Sequence, residues 1–495
     1  LAGASAAGAI AAPPVANTDW AHDLWDPQRP LVSPGRPVRI QPVLMYSLPK
    51  RKEKTSWKSW GGIQTEEAVE QEVGRITEEL KALIARAEFP LEALPVRKVT
   101  NVDEAANAGR SAADVAIIYP ATGSGTMLRA CIPASGNAVI FVRHRSGPVY
   151  YWYESLSVRY LKTPRAGAAK VTGVDAPRLS VDDVVVDDTN ELLWRLRAYY
   201  GAVNFIGSRI VSLGGPQGKY APDAVQVARD RFKFDIVDIG YADFESRIRG
   251  ALADRALMAR AEQWTKSYLA LPGTALETDR HFVVNSFVLY GLFKDLMREH
   301  NAAAFTINSC MNTIMPMADT TACLTLSLLN DEGLLAFCES DFVIIPAGIL
   351  LRHIAQKPMF LHNSTFPHGG MVTCAHCTGP RRMNGSRYEP ARLLTHYESE
   401  FGAAPKVEIP KGQELTFIDP EYATCRWVGI RGVVEDNPFY EICRSQQDVR
   451  ILGNWKDLLN EVRDSHWVMV YGNYLKEVAY AAPHIGVTWH AVSDS

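Results

Sequence analysis

The sequence predicts an α/β protein of several domains: two Rossmann-like parallel-sheet domains, a third α/β region and a small C-terminal β-barrel. Three observations point there. At 495 residues the chain exceeds the size at which a single hydrophobic core stops growing. Continuous apolar runs alternate with segments of helical spacing, a βαβ rhythm that implies parallel sheets. After about residue 385 the texture changes to short strand-like runs such as "PKVEIPKGQELTFIDPE" and "RWVGIRGVVEDN", which read as a small all-β unit.

Composition sets the function classes aside before any motif is read. Hydrophobic residues at 47% and charged residues at 22% are globular values, so a large core is expected. Lys and Arg number 52 against 55 Asp and Glu, for a net charge of −3 and no long run of one sign. That balance argues against nucleic acid or an anionic membrane as the main partner. No apolar run approaches the roughly 20 residues of a membrane span. The opening "LAGASAAGAIAAPPVANTDW" carries small apolar residues, an A-x-A-like Ala9-Ile10-Ala11 and then Pro13-Pro14. Residues 1–20 therefore read as a signal-peptide remnant or disordered leader, and the protein as exported, periplasmic or extracellular. Without that role for the leader it would be cytoplasmic.

The elements follow in order. Within 21–174, "RPVRIQPVLMYSLP" is a first strand. A helix starts near Thr65 with Val69, Val73, Ile76, Leu80, Leu83 and Ile84 at helical spacing, and Val115–Tyr119 is a second strand ending in a Gly/Ser loop. That loop lacks the G-x-G-x-x-G pattern and the P-loop lysine, so a nucleotide is not expected there. A second α/β domain is expected over 175–275, with a strand at Arg209–Leu213 running into Gly214-Gly215. A long helix over Arg280–His300 opens the third region, 276–385, in which a strand ends near Asn308, "LLAFCESDF" is the next strand, "FVIIPAGILLRHIAQKP" a helix stopped by Pro358, and "MFLHN" a short strand. The barrel is expected over 386–460 and a returning segment over 461–495.

Eight cysteines in a chain this long are not a disulfide framework, and several lie in apolar runs where a thiol packs as a small hydrophobe. "TCAHC" holds Cys374, His376 and Cys377, but no second ligand pair completes a zinc knuckle and the turn residues do not suit a redox pair. His376 is the chemical residue of that stretch. Glu339 and Asp341 in "CESD" end a buried strand, where positions i and i+2 share a face, so both carboxylates are expected to project together at the sheet edge. His466 opens the last stretch, in "HWVMVYGN".

These residues and their layout resemble the L-fucose isomerase and L-arabinose isomerase superfamily over roughly residues 38–490. The local match is "AFCESDF", similar to the fucose isomerase segment around the first catalytic Glu, which falls on Glu339. By this resemblance Asn363 stands where the isomerases carry a second acidic ligand, His466 near the histidine that completes the metal site, and His376 near a further site histidine of the arabinose isomerases. The resemblance implies Mn²⁺ or Mg²⁺ on Glu339, Asn363 and His466. It also implies aldose–ketose isomerisation through an ene-diolate with Glu339 and Asn363 in the catalytic positions, and a trimer or hexamer; Asp341, read from its place beside Glu339, is the carboxylate that would substitute for the acid missing at 363. Hard divalent ions favour such carboxylate, imidazole and water ligands. Asn308, His362, His376 and Arg381 are the candidates for holding a sugar or glycan substrate. An exported glycoside hydrolase using Glu339 and Asp341 as its carboxylate pair, or a non-catalytic sugar-binding protein, are the alternatives.

Overall fold

The computed structural model describes residues 25–151, 156 and 179–494. The leader of residues 1–20 and the expected boundary near 175 lie outside the described residues. The chain forms two compact units, one of residues 37–203 and one combining residues 25–36 with 204–494.

The first unit is a parallel sheet. Its strands are β1 (Val38–Met45), β2 (Leu91–Ala93), β3 (Arg97–Val99), β4 (Val115–Pro120), β5 (Ala138–Val142) and β6 (Val184–Val186). They lie in the order β2-β1-β4-β5-β6, with β3 also on β1, and every pairing is parallel. β4 and β5 are buried along their whole length, which is why they read as unbroken apolar runs. The helix Glu66–Arg86 starts where the Thr65 side chain accepts the Ala68 N–H, and it buries Val69, Ile76, Leu80 and Leu83.

The second unit carries the site. β7 (Arg209–Leu213), β8 (Asp235–Ile239), β9 (Thr274–Leu276), β10 (Ala304–Ile307) and β11 (Leu335–Phe337) come first. Four of them form a parallel sheet in the order β11-β10-β7-β8. The segments expected as a second domain and a third region thus share one sheet, with β7 in the middle bonded to a strand from each. The helix Arg280–Glu299 seals it, with Phe293 stacked on Phe305 of β10 at 4.3 Å between ring centres.

The remaining strands are β12 (Phe360–Ser364), β13 (Met371–His376), β14 (Ala391–Leu394), β15 (Ala404–Val407), β16 (Glu414–Pro420), β17 (Arg426–Asp436), β18 (Ser445–Leu452), β19 (His466–Tyr471) and β20 (Thr488–Ala491). β16, β19, β12, β13, β18 and β17 follow one another antiparallel, and β17 returns to β16, so six strands close a barrel. β20 runs parallel beside β17, while β14 leaves the barrel to lie between β15, antiparallel, and β9, parallel. The barrel therefore begins near residue 360 rather than 386 and takes in β19 from the expected returning segment. Closure is the reason. Without β19 the edges of β16 and β12 would stand open, and Tyr471 and Met469 fill that gap opposite Leu415 and Phe360.

The helix Ile345–Ala355 links sheet to barrel and is buried throughout. A Cβ added at Gly348 would lie 2.4 Å from a ring carbon of Phe337 in β11. Gly348→Ala, which in an open helix stabilises by up to about 1 kcal/mol, is expected here to destabilise by roughly 1–3 kcal/mol through overpacking. Denaturant unfolding of the two proteins measures the sign.

Candidate functional site

The site begins where β11 stops. Glu339 and Ser340 both adopt left-handed backbone, with φ of 62° and 48°. Two adjacent non-glycine residues in this region cost on the order of 1–3 kcal/mol each, so their surroundings must hold them. The loop after β7 does so. Gln217 donates its backbone N–H to Ser340 O at 3.2 Å and its side-chain amide to Glu339 O at 2.7 Å, and it accepts the Phe342 N–H at 2.8 Å.

This turn sends the two acidic side chains different ways, so they do not share a face as an extended strand would require. Asp341 is fully buried. Its Oδ1 accepts the backbone N–H of Lys219 at 3.0 Å and of Val343 at 3.1 Å, and its Oδ2 lies 2.7 Å from His466 Nδ1. With every acceptor committed and no exposure, Asp341 positions the site and does not reach a substrate. Glu339 instead is about one-third exposed and points toward the barrel strands.

Three potential ligand atoms meet there, one each from Glu339, His376 and His466, all within 4.8 Å of one another. His376 Nε2 is 3.8 Å from Glu339 Oε1, and His466 Nε2 is 3.8 Å from Glu339 Oε2. Ligands about 2.0–2.2 Å from a common ion stand roughly 3–4.4 Å apart, so the trio fits a divalent cation with small adjustments. The outer partners also suit a metal. Asp341 accepts only, so His466 carries its proton on Nδ1 and turns Nε2 inward, and the Thr378 hydroxyl holds His376 Nδ1 at 3.0 Å. Both imidazoles are buried.

A fourth group stands among them. Lys219 Nζ lies 2.8 Å from Glu339 Oε2 and 3.3 Å from His466 Nε2. Burial pushes the Glu339 carboxyl up, but His376, His466 and Lys219 outweigh it and hold it well below the usual carboxylate range. Burial likewise opposes the charge on Lys219, and Glu339 outweighs it, so that pKa is raised.

The other candidates fall in varied places. Asn363 pairs with His466 across β12 and β19, which puts its side chain on the same face of the barrel wall beside that imidazole. His362, the residue before it, faces the barrel core instead. It is fully buried against Phe417 and Trp467, and burial pushes its pKa down to about 3. Arg381 is also fully buried, with Nε bonded to Glu389 O at 2.8 Å and its guanidinium over the rings of Tyr268 and Tyr388. Both side chains are packed away from the Glu339 cluster, His362 against Phe417 and Trp467 and Arg381 against Tyr268 and Tyr388. Asn308 sits at the end of β10 on the same sheet edge as Glu339, and its amide reaches Gly214 O at 3.4 Å. Of the "TCAHC" cysteines, Cys374 packs in the barrel core and Cys377 packs with Cys323, Cys443 and Ala404. Lys219 and Thr378 went unread in the sequence. The signal for Lys219 was its place in "GGPQGKY", directly after a strand, where sheet-edge loops carry ligand contacts.

Compared with known protein families and with curated protein sequences, the chain matches none.

Asp341→Asn keeps the shape of the clamp but sets an amide N–H against one of three N–H donors. With the amide nitrogen in place of Oδ2, His466 is expected to switch to the Nε2–H tautomer in ¹⁵N histidine spectra, and loss of the charge-assisted bonds is expected to cost on the order of 1–3 kcal/mol. Unchanged spectra and stability would show that another group orients His466.

Proposed function

We propose that this chain is a carbohydrate-active enzyme that holds a divalent ion on Glu339, His376 and His466 and interconverts an aldose and a ketose. The observation that supports this most directly is the convergence of one carboxylate and two inward-facing imidazole nitrogens. Mn²⁺ or Mg²⁺ bound there would polarise the O1 and O2 oxygens of an open-chain sugar as a Lewis acid.

The remaining roles fall to residues of this chain. Glu339 is the site's accessible carboxylate, so it is the group placed to take a proton from C2 of an aldose and return it to C1, while the O2 hydroxyl proton passes to O1. His466, fixed by Asp341, and His376, fixed by Thr378, orient without turning. Asn363 is an amide and moves no proton, but beside His466 it can hold a sugar hydroxyl or lend a weak oxygen ligand. Glycoside hydrolysis through a carboxylate pair is the less favoured reading, because Asp341 is buried and committed to His466.

Titration of Mn²⁺ into purified protein, with NMR of free aldoses with and without EDTA, tests the proposal. Metal binding is expected, with aldose–ketose conversion abolished by EDTA and by Glu339→Gln. EDTA-resistant cleavage of aryl glycosides, lost in Glu339→Gln, would replace isomerisation with hydrolysis. A second outcome is expected from Asn363→Asp. Placing a carboxylate beside His466 should tighten Mn²⁺ binding by about tenfold or more, since ligand charge sets affinity for hard cations.

A further inference from the structure

Resting on the metal reading just given, we infer that Lys219 is a built-in competitor for the ion: its ammonium fills the cation position when the metal is absent and must swing out for the metal to bind. Lys219 Nζ lies 2.8 Å from Glu339 Oε2 and 3.3 Å from His466 Nε2, two atoms that are themselves 3.8 Å apart. An ion about 2.2 Å from both atoms would lie no more than roughly 3.5 Å from Nζ. Like charges that close, in a half-buried site, repel strongly. Both Glu339 Oε2 and the His466 Nε2 lone pair are moreover already occupied by the ammonium, and each would have to release it to ligate an ion. Lys219 and the metal are therefore alternatives.

The placement is built into the fold. The backbone N–H of Lys219 is bonded to Asp341 Oδ1, the same carboxylate whose other oxygen fixes His466. Two residues earlier, Gln217 forms a bridge with Asp341 and bonds to Glu339 O. One clamp thus sets the ligand imidazole and the root of the competing side chain together. The Lys219 side chain is a quarter exposed, so it has a route outward while its backbone stays bonded. Released ammonium at the mouth of the site would then be a donor for a sugar oxygen. A lysine here also keeps the metal-free site intact, because Glu339 has a charge partner in either state.

Two measurements test this. Calorimetric titration of Mn²⁺ into the wild-type protein and into Lys219→Met should show the variant binding about 10–100-fold more tightly, the range expected for removing one charge-assisted contact. In the wild-type protein, labelling of Lys219 by an amine-acylating reagent, read by mass spectrometry, should rise when Mg²⁺ is added. Equal Mn²⁺ affinity in both proteins, or weaker binding by the variant, would overturn the competition and leave the metal site standing. Labelling that Mg²⁺ leaves unchanged in protein shown by calorimetry to bind it would do the same, and decides the matter if Lys219→Met does not fold. No metal binding by either protein would overturn both this inference and the metal reading beneath it.

Discussion

The site depends on one buried carboxylate. Asp341 joins three stretches of chain that are distant in sequence: the loop after β7 through the Lys219 N–H, the turn before helix Ile345–Ala355 through the Val343 N–H, and barrel strand β19 through His466. Taking a carboxylate out of water costs several kcal/mol unless it is well bonded. Three donors, shared between both oxygens, supply that bonding in their charge-assisted form. The same contacts fix the tautomer of His466, the root of Lys219 and the start of the helix that runs on to β12. Parallel sheet and barrel are therefore locked at the point where the Glu339, His376 and His466 side chains meet.

That lock also accounts for the division of labour between two carboxylates only two residues apart. Had β11 continued extended, Glu339 and Asp341 would lie side by side and repel, and one would be driven neutral. The left-handed pair at Glu339 and Ser340 separates them, turning Asp341 into the protein and Glu339 toward the opening. The imidazole of His466 then stands between the two, with Nδ1 on Asp341 and Nε2 facing Glu339. Strain in the backbone is offset by the Gln217 bonds and yields one structural and one exposed acid from the same short segment.

Much of this is legible in the sequence where local pattern and tertiary demand agree. The strand Arg209–Leu213 has the bounds its apolar run implies, and the helices after Thr65 and Asp279 start where the pattern places them. Glu339, His376 and His466, which the structure brings together, stand out in the sequence by residue type. What failed was whatever depends on long-range closure or on which way one residue faces. The barrel's bounds were hidden because β12, β13 and β19 are short apolar runs that suit a sheet or a barrel equally. His362 and Asn363 are neighbours on one strand, and only the register against β19 reveals that Asn363 shares the face of His466. Arg381 is a charged residue held by the Glu389 carbonyl and by the rings of Tyr268 and Tyr388, so its burial has no local sign. For Lys219 the sequence offers only its place in a loop after a strand, and its contact with Glu339 depends on the Gln217 and Asp341 bonds across the fold.

The charge balance of the site ties Asn363 and Lys219 together. An acid at position 363, beside His466, would give the site a second exposed carboxylate, which a divalent ion offsets better than a single ammonium does. Here Glu339 is the accessible acid, and one ammonium suffices to balance it. An aspartate at 363 with Lys219 in place would leave a half-buried negative charge uncompensated in the metal-free protein, favouring a permanently held ion. With an amide there instead, Lys219 is the ammonium that meets Glu339, and by the inference above an ion displaces that contact to enter. An amide at 363 and an ammonium at 219 thus act in one direction, toward a site whose charge is balanced without a metal.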